Sequence, residues 1–111
     1  MDSWQWPDEL DAIIAAPKHH KLILENDRVR VLDTRIPVGD IVPVHTHRWP
    51  GVYYSVQFSH FIRRDQDGKI TFDSRTAPPM PPAAFLEFLP PHSVENVGDQ
   101  EIHLISVELK P

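Results

Sequence analysis

The chain contains no cysteine and only four glycines among its 111 residues. Without thiols there is no disulfide, no zinc–thiolate site and no iron–sulfur cluster, so any metal must bind through nitrogen or oxygen. No apolar run approaches the ~20 residues of a membrane-spanning helix. The start, MDSWQWPDELD, is acidic rather than the basic-then-apolar pattern of a signal peptide. A basic stripe is missing too: the formal net charge of −5 argues against a partner bound through its phosphate backbone. These absences set the expectation of a soluble, cytoplasmic protein that binds neither nucleic acid nor membrane.

The chain is rich in proline and histidine, with twelve and seven residues. Its length fits one domain, which buries roughly two-thirds of the surface of the unfolded chain. In WPDELDAIIAAP, Pro7 suits a first helical turn, and Asp8 and Glu9 favour the positive end of a helix. Leu10, Ile13 and Ile14 form an apolar stripe and Pro17 ends the run, so residues 1–19 read as a helical extension packed on the body of the domain. From residue 20 to 111 the pattern is of strands: KLILE, RVRVLDTRIP, IVPVHTH, GVYYSVQFSHFIRR, ITFDSR, AFLEFLP, HSVENV and EIHLISVEL. DQDGK carries an Asp-Gly hairpin signal, and TAPPMPP is too proline-rich for a central strand. About eight or nine short strands at regular spacing predict an all-β sandwich or barrel.

His45 and His47 stand one residue apart, so a strand would point both to one face. Gly39, five residues, His45, one residue and His47 reproduce the opening of the first cupin motif. His92, three residues and Asn96 reproduce the close of the second. Residues from about 20 to 110 therefore resemble a small single-domain cupin of the RmlC-like type. The resemblance implies an antiparallel jelly-roll β-barrel whose two motifs face each other, bringing His92 beside His45 and His47. It departs from the family pattern where a glutamate is expected after the second histidine, since Gly51 and Val52 stand there. Glu87 and Leu89 replace the proline and glycine that usually precede the later histidine.

The implied ligand set is His45, His47 and His92, for a divalent transition metal. Fe(II) comes first by resemblance to three-histidine cupins, with Zn, Mn, Ni or Cu as alternatives, and imidazole suits most of these ions. Three neutral ligands leave positions open for substrate and leave the ion's charge uncompensated, which favours an anionic or chelating substrate. Tyr53 and Gln57 are candidates for the missing ligand or for substrate binding, and Trp49 for the rim of the site. Alternation puts either Gly51, Tyr53, Ser55 and Gln57 inside, or Val52, Tyr54 and Val56, and the sequence does not choose. His103 shares a face with Ile105, Val107 and Leu109 and reads as a core residue; His60 is treated alike. His19 and His20 read as structural, just past a helix end. The loop from Thr76 to Pro82 is either a cover for the barrel mouth or a rigid connector.

The expected function is a three-histidine dioxygenase acting on a small molecule, though no residue stands out as a nucleophile. The alternatives are a metal-free or metal-holding sensor module, and a metal-assisted isomerase or epimerase drawing on His60, His103 or Tyr53 for acid–base work. A homodimer is expected, with Trp4 and Trp6 either docking on a partner subunit or capping their own barrel.

Overall fold

The computed structural model describes residues 4–87 and 89–111; the first three residues of the acidic start, and Phe88 within AFLEFLP, lie outside them. Among the described residues nine strands follow a short helical start: β1 (His20–Glu25), β2 (Val29–Ile36), β3 (Ile41–His45), β4 (Gly51–Gln57), β5 (Phe61–Asp65), β6 (Ile70–Asp73), β7 (Ala83–Leu86), β8 (His92–Asn96) and β9 (Ile102–Leu109). They form a five-stranded sheet in the order β1-β2-β9-β4-β7 and a four-stranded sheet in the order β3-β8-β5-β6. Every ladder between these strands is antiparallel. This is the expected jelly roll.

Two expected elements are broken, each for a stated reason. The N-terminal helix is a 3₁₀ turn at Asp8–Leu10 and a single α-helical turn, α1, at Ala12–Ala15. Between them Asp11 is extended (φ −64°, ψ 141°), bridges Thr46, and gives both carboxylate oxygens to Arg30 at 2.7 and 2.9 Å. A continuous helix would have forfeited that buried ion pair. The residues that this segment buries fully are Ala12 and Ala16, whereas Ile14 of the expected stripe is 55% exposed.

The long stretch GVYYSVQFSHFIRR is likewise two strands. At Phe58–His60 the chain leaves the five-stranded sheet for the four-stranded one. Ser59 marks the crossing, buried and donating its hydroxyl to Asn96 Oδ1 at 3.1 Å. Gly98 packs so closely on Ser59 that no Cβ would fit there.

Asn96 closes the barrel. Its amide nitrogen donates to the carbonyls of Ile36 and Gln100, while its backbone N–H donates to Asp40 O and its carbonyl accepts from Gly39 N–H. Gly39 has φ +82° at the third position of the Pro37–Asp40 turn, a conformation natural to glycine. The Gly39 and Asn96 of the two motifs thus bond to each other, so these residues hold the fold together at a point away from the imidazoles.

The hydrophobic core is small. Ala16, Ile36, Val42 and Ile102 form its buried cluster, with Phe61, Val94 and Leu104 packed against it. Thirteen polar or charged residues are buried against seven hydrophobic ones among the described residues, so the interior is organised by hydrogen bonds and ion pairs around a cavity. Burial of that kind is tolerated only where partners are supplied.

A histidine cluster in the barrel cavity

The two sheets enclose a cavity of about 430 Å³, a size suited to a small molecule. Alternation along β4 resolves in favour of the polar face: Tyr53, Ser55 and Gln57 line the cavity, while Val52, Tyr54 and Val56 are 40–52% exposed outside. Met80, Pro81 and Pro82 also line it, so the proline-rich loop borders the cavity.

Four histidines line one region of this space: His20, His45, His47 and His92. His45 faces His92 across the β3–β8 ladder, with ring centroids 4.7 Å apart. Ring-nitrogen atoms of His20, His45 and His47 all lie within 4.8 Å of one another, close enough for three side chains to hold one metal ion. This group shares His45 and His47 with the expected set, adds His20, and leaves His92 as the immediate neighbour of His45.

Each ring is fixed the same way. His45 Nδ1 donates to Pro43 O at 2.8 Å, His92 Nδ1 to Pro90 O at 2.8 Å, and His20 Nδ1 to Ala16 O at 3.0 Å. His47 Nδ1 donates to Glu108 Oε2 at 2.8 Å. A carbonyl or carboxylate oxygen only accepts, so the network assigns the proton to Nδ1 in all four and leaves Nε2 with a free lone pair. This outward bond is the habitual companion of metal-ligating histidine, because it sets the tautomer and the ring's orientation. In two cases the acceptor is the carbonyl of a proline two residues earlier. Pro43 suits β3 because that strand is an edge, where a missing N–H costs no ladder bond.

Burial keeps His20, His45 and His92 neutral. It is the first cause lowering His20 and His92 to about 4, and His45 falls well below 6.5, with neighbouring imidazoles, and Arg63 beside His92, adding to the effect. Neutral imidazole is the form that binds metal.

The carboxylate missing from the first motif has a structural explanation. Gly51 lies against the backbone of Val107 and Glu108 with no room for a Cβ, and Val52, the other position where a glutamate was expected, faces outward at 40% exposure. The residue paired with Gly51 across the sheet is Glu108, fully buried, and its carboxylate joins His47 to Arg30. Arg30 in turn holds Asp11. Burial opposes the charge of Arg30, but its bonds to Asp11 and Glu108 outweigh that and raise its pKa. The Asp11–Arg30–Glu108 chain carries a net charge of −1 when all three are ionised, so a cation among the imidazoles would not be wholly uncompensated, contrary to expectation.

The other expected site residues fall in different places. Tyr53 packs edge-on to His47 with centroids 5.6 Å apart, and burial raises its pKa, so it remains a phenol. Gln57 lines the cavity but spends its amide on Glu101 O at 2.7 Å. Trp49 is not among the residues lining the cavity; it packs under the cations of Arg30 and Lys110, with centroid distances of 5.0 and 4.9 Å. His103 is not in the core: it shares the outer face of the five-stranded sheet with Asp33, Nε2 to Oδ1 3.1 Å. His60 bonds Ser74 Oγ at 3.0 Å and does not line the cavity.

Sequence reasoning missed His20, Glu108 and Arg63, the last of which also lines the cavity. The signal was present for two of them. Glu108 alternates with Ile102, Leu104 and Ser106, and Arg63 with Phe61, so each is a charged residue on a strand face that also carries apolar ones.

No family model and no curated protein matches this chain. Solved structures do. It is similar to a cupin domain from Bordetella pertussis Tohama I, with 21% identity over 83% of this chain and 92% of that one and a TM-score of 0.67. An RmlC-like cupin with a double-stranded β-helix fold from Methanocaldococcus jannaschii matches at 10% identity, covering 82% and 78%, with a TM-score of 0.61. An RmlC-like cupin from Desulfovibrio desulfuricans matches at 16% identity, covering 95% and 96%, with a TM-score of 0.52. With its nine antiparallel strands in two sheets and its paired motifs, this chain has the fold of a small single-domain cupin.

Proposed function

We propose that the cavity is the active site of a metal-dependent enzyme that cleaves a small anionic or chelating molecule with dioxygen. Fe(II) is the first choice of metal, with Zn, Mn, Ni or Cu as alternatives. The observation that carries this reading is the common orientation of His20, His45, His47 and His92: each is anchored through Nδ1, leaving Nε2 free at one cavity. An ion held by these imidazoles would supply Lewis acidity and open coordination positions for substrate. The chain does the rest. Glu108 fixes the tautomer and orientation of His47, Tyr53 would offer its protonated hydroxyl to a bound substrate, and the apolar walls limit water.

Elemental analysis after iron-replete expression is the direct test, followed by oxygen uptake with short carboxylates and β-diketones as trial substrates. About one equivalent of iron with substrate-dependent oxygen uptake supports the reading. Absence of bound metal under those conditions favours a metal-free binding or sensor module. An isomerase or epimerase would need an acid–base group in the cavity. Of the three candidates, only Tyr53 lines it, and a phenol held protonated is a poor base.

A further inference from the structure

We propose that Arg63 is the anchor for a carboxylate, and that the cavity therefore takes a small carboxylic acid with an apolar body, its anionic head on Arg63. The inference deepens the reading above and rests on it for the identity of the cavity as the reacting site.

Arg63 projects from β5 into the cavity, on the sheet that also carries His45 and His92. Its neighbour Arg64 points the other way and is matched by Glu95 at 2.8 Å. Arg63 has no carboxylate partner among the described residues, and its Nε is buried without an acceptor. Its guanidinium instead lies near the rings of Phe61 and Phe72, 5.9 and 5.5 Å from their centroids. Those faces attract a cation but accept no strong hydrogen bond.

The buried carboxylate of Glu108 does not line the cavity and is already committed. Glu108 is divided between His47 and Arg30, and Tyr53 and the four imidazoles offer no negative charge. Burial pulls the pKa of Arg63 down, as expected for a cation held out of water. A half-buried guanidinium whose Nε finds no acceptor is costly, and such sites are a mark of function rather than of stability. Its planar fork matches a carboxylate through two parallel hydrogen bonds, which a neutral isostere does not reproduce. The apolar wall offered by Phe61, Val94, Leu86 and Leu104 suits a hydrocarbon body.

The test is calorimetric and uses metal-free protein, dialysed against chelator, with hexanoate and the neutral isostere hexanamide as probes. Wild type should bind hexanoate at least about 10-fold tighter than hexanamide, in line with a charge-assisted pair. Arg63→Met should abolish that preference, and Arg63→Lys should keep part of it. Thermal melts in the absence of ligand serve as the fold control, and Arg63→Met should melt at the same temperature as wild type or higher, since it removes a half-buried charge that has no carboxylate partner among the described residues. Equal affinity for the two probes in wild type, or an unchanged preference in a folded Arg63→Met, overturns the proposal. Iron titration of the same variants separates the two readings. Iron bound normally with no hexanoate preference removes the Arg63 anchor alone, whereas hexanoate preference without iron binding removes the metal centre and leaves an anion-binding barrel.

Discussion

His92 lies directly across the β3–β8 ladder from His45, so residues 47 positions apart in sequence form one cross-strand pair. Both rings are turned by the carbonyl of a proline two residues before them. If the cluster holds a metal, each of His20→Ala, His45→Ala, His47→Ala and His92→Ala should lower affinity by at least about 10–100-fold, the loss known for merely supporting residues. His103→Ala, on the outer sheet face, should leave it unchanged. Competition titration against a chromophoric chelator measures all five. A His92→Ala protein that binds as tightly as wild type would restrict the ligand set to His20, His45 and His47.

Acid should destabilise the metal-free barrel. His20 and His92 titrate near 4 when folded and near 6.5 when unfolded. Between those values the unfolded chain binds more protons, so stability is full above about pH 6.5 and falls as the pH drops toward 4. A depression of that size corresponds to roughly 3 kcal/mol for one such site. Urea denaturation at pH 7 and pH 5 should show a lower midpoint at pH 5 with an unchanged slope. An equal or higher midpoint at pH 5 would contradict the buried neutral imidazoles.

Glu108 supports two charged or ring partners from a fully buried position. Glu108→Gln retains the shape but leaves Arg30 with Asp11 as its only carboxylate partner. Breaking a buried ion pair costs about 3–5 kcal/mol. The variant should therefore melt well below wild type, and metal affinity should drop about 10–100-fold through His47. A loss of stability with no loss of metal affinity would assign Glu108 to the fold alone.

Much of this was legible in the sequence, because period-two alternation is a local property. Apart from the break at Phe58–His60, the strands appear where the pattern puts them, as do the Asp-Gly hairpin and the proline-rich loop. What was hidden depends on partners far along the chain. Asp11 breaks a helical pattern to reach Arg30, and nothing near Asp11 announces it. Phe58–His60 reads as strand until the chain must change sheets. His20 looks like a residue past a helix end until the Ala16 carbonyl turns its ring toward His45, with centroids 4.8 Å apart.

For the homodimer expected from sequence we propose a surface other than the N-terminal segment. Trp4 and Trp6 pack on each other with centroids 5.7 Å apart, and Arg48 lies over Trp4. Phe85, Val52, Val107, Val31 and Leu24 instead line up across all five strands of the larger sheet, with Phe85, Val52 and Leu24 40–54% exposed. An apolar stripe of this kind is a candidate interface between two copies. Sedimentation should give about twice the 12.8 kDa chain mass, and Val52→Asp should shift it to the monomer. A wild-type monomer at micromolar concentration would exclude this interface.

Asn96 carries a kinetic consequence. Its side chain ties together Ile36, Ser59 and Gly98–Gln100, segments that meet only once both sheets are in place. Such bonds form late, after the entropy of closing long loops has already been lost. Asn96→Ala should therefore leave the refolding rate nearly unchanged and accelerate unfolding, a low-φ signature visible in the two arms of a chevron. The residue that ends the second motif would then act as a latch on the closed barrel, setting how long it stays shut rather than how quickly it forms.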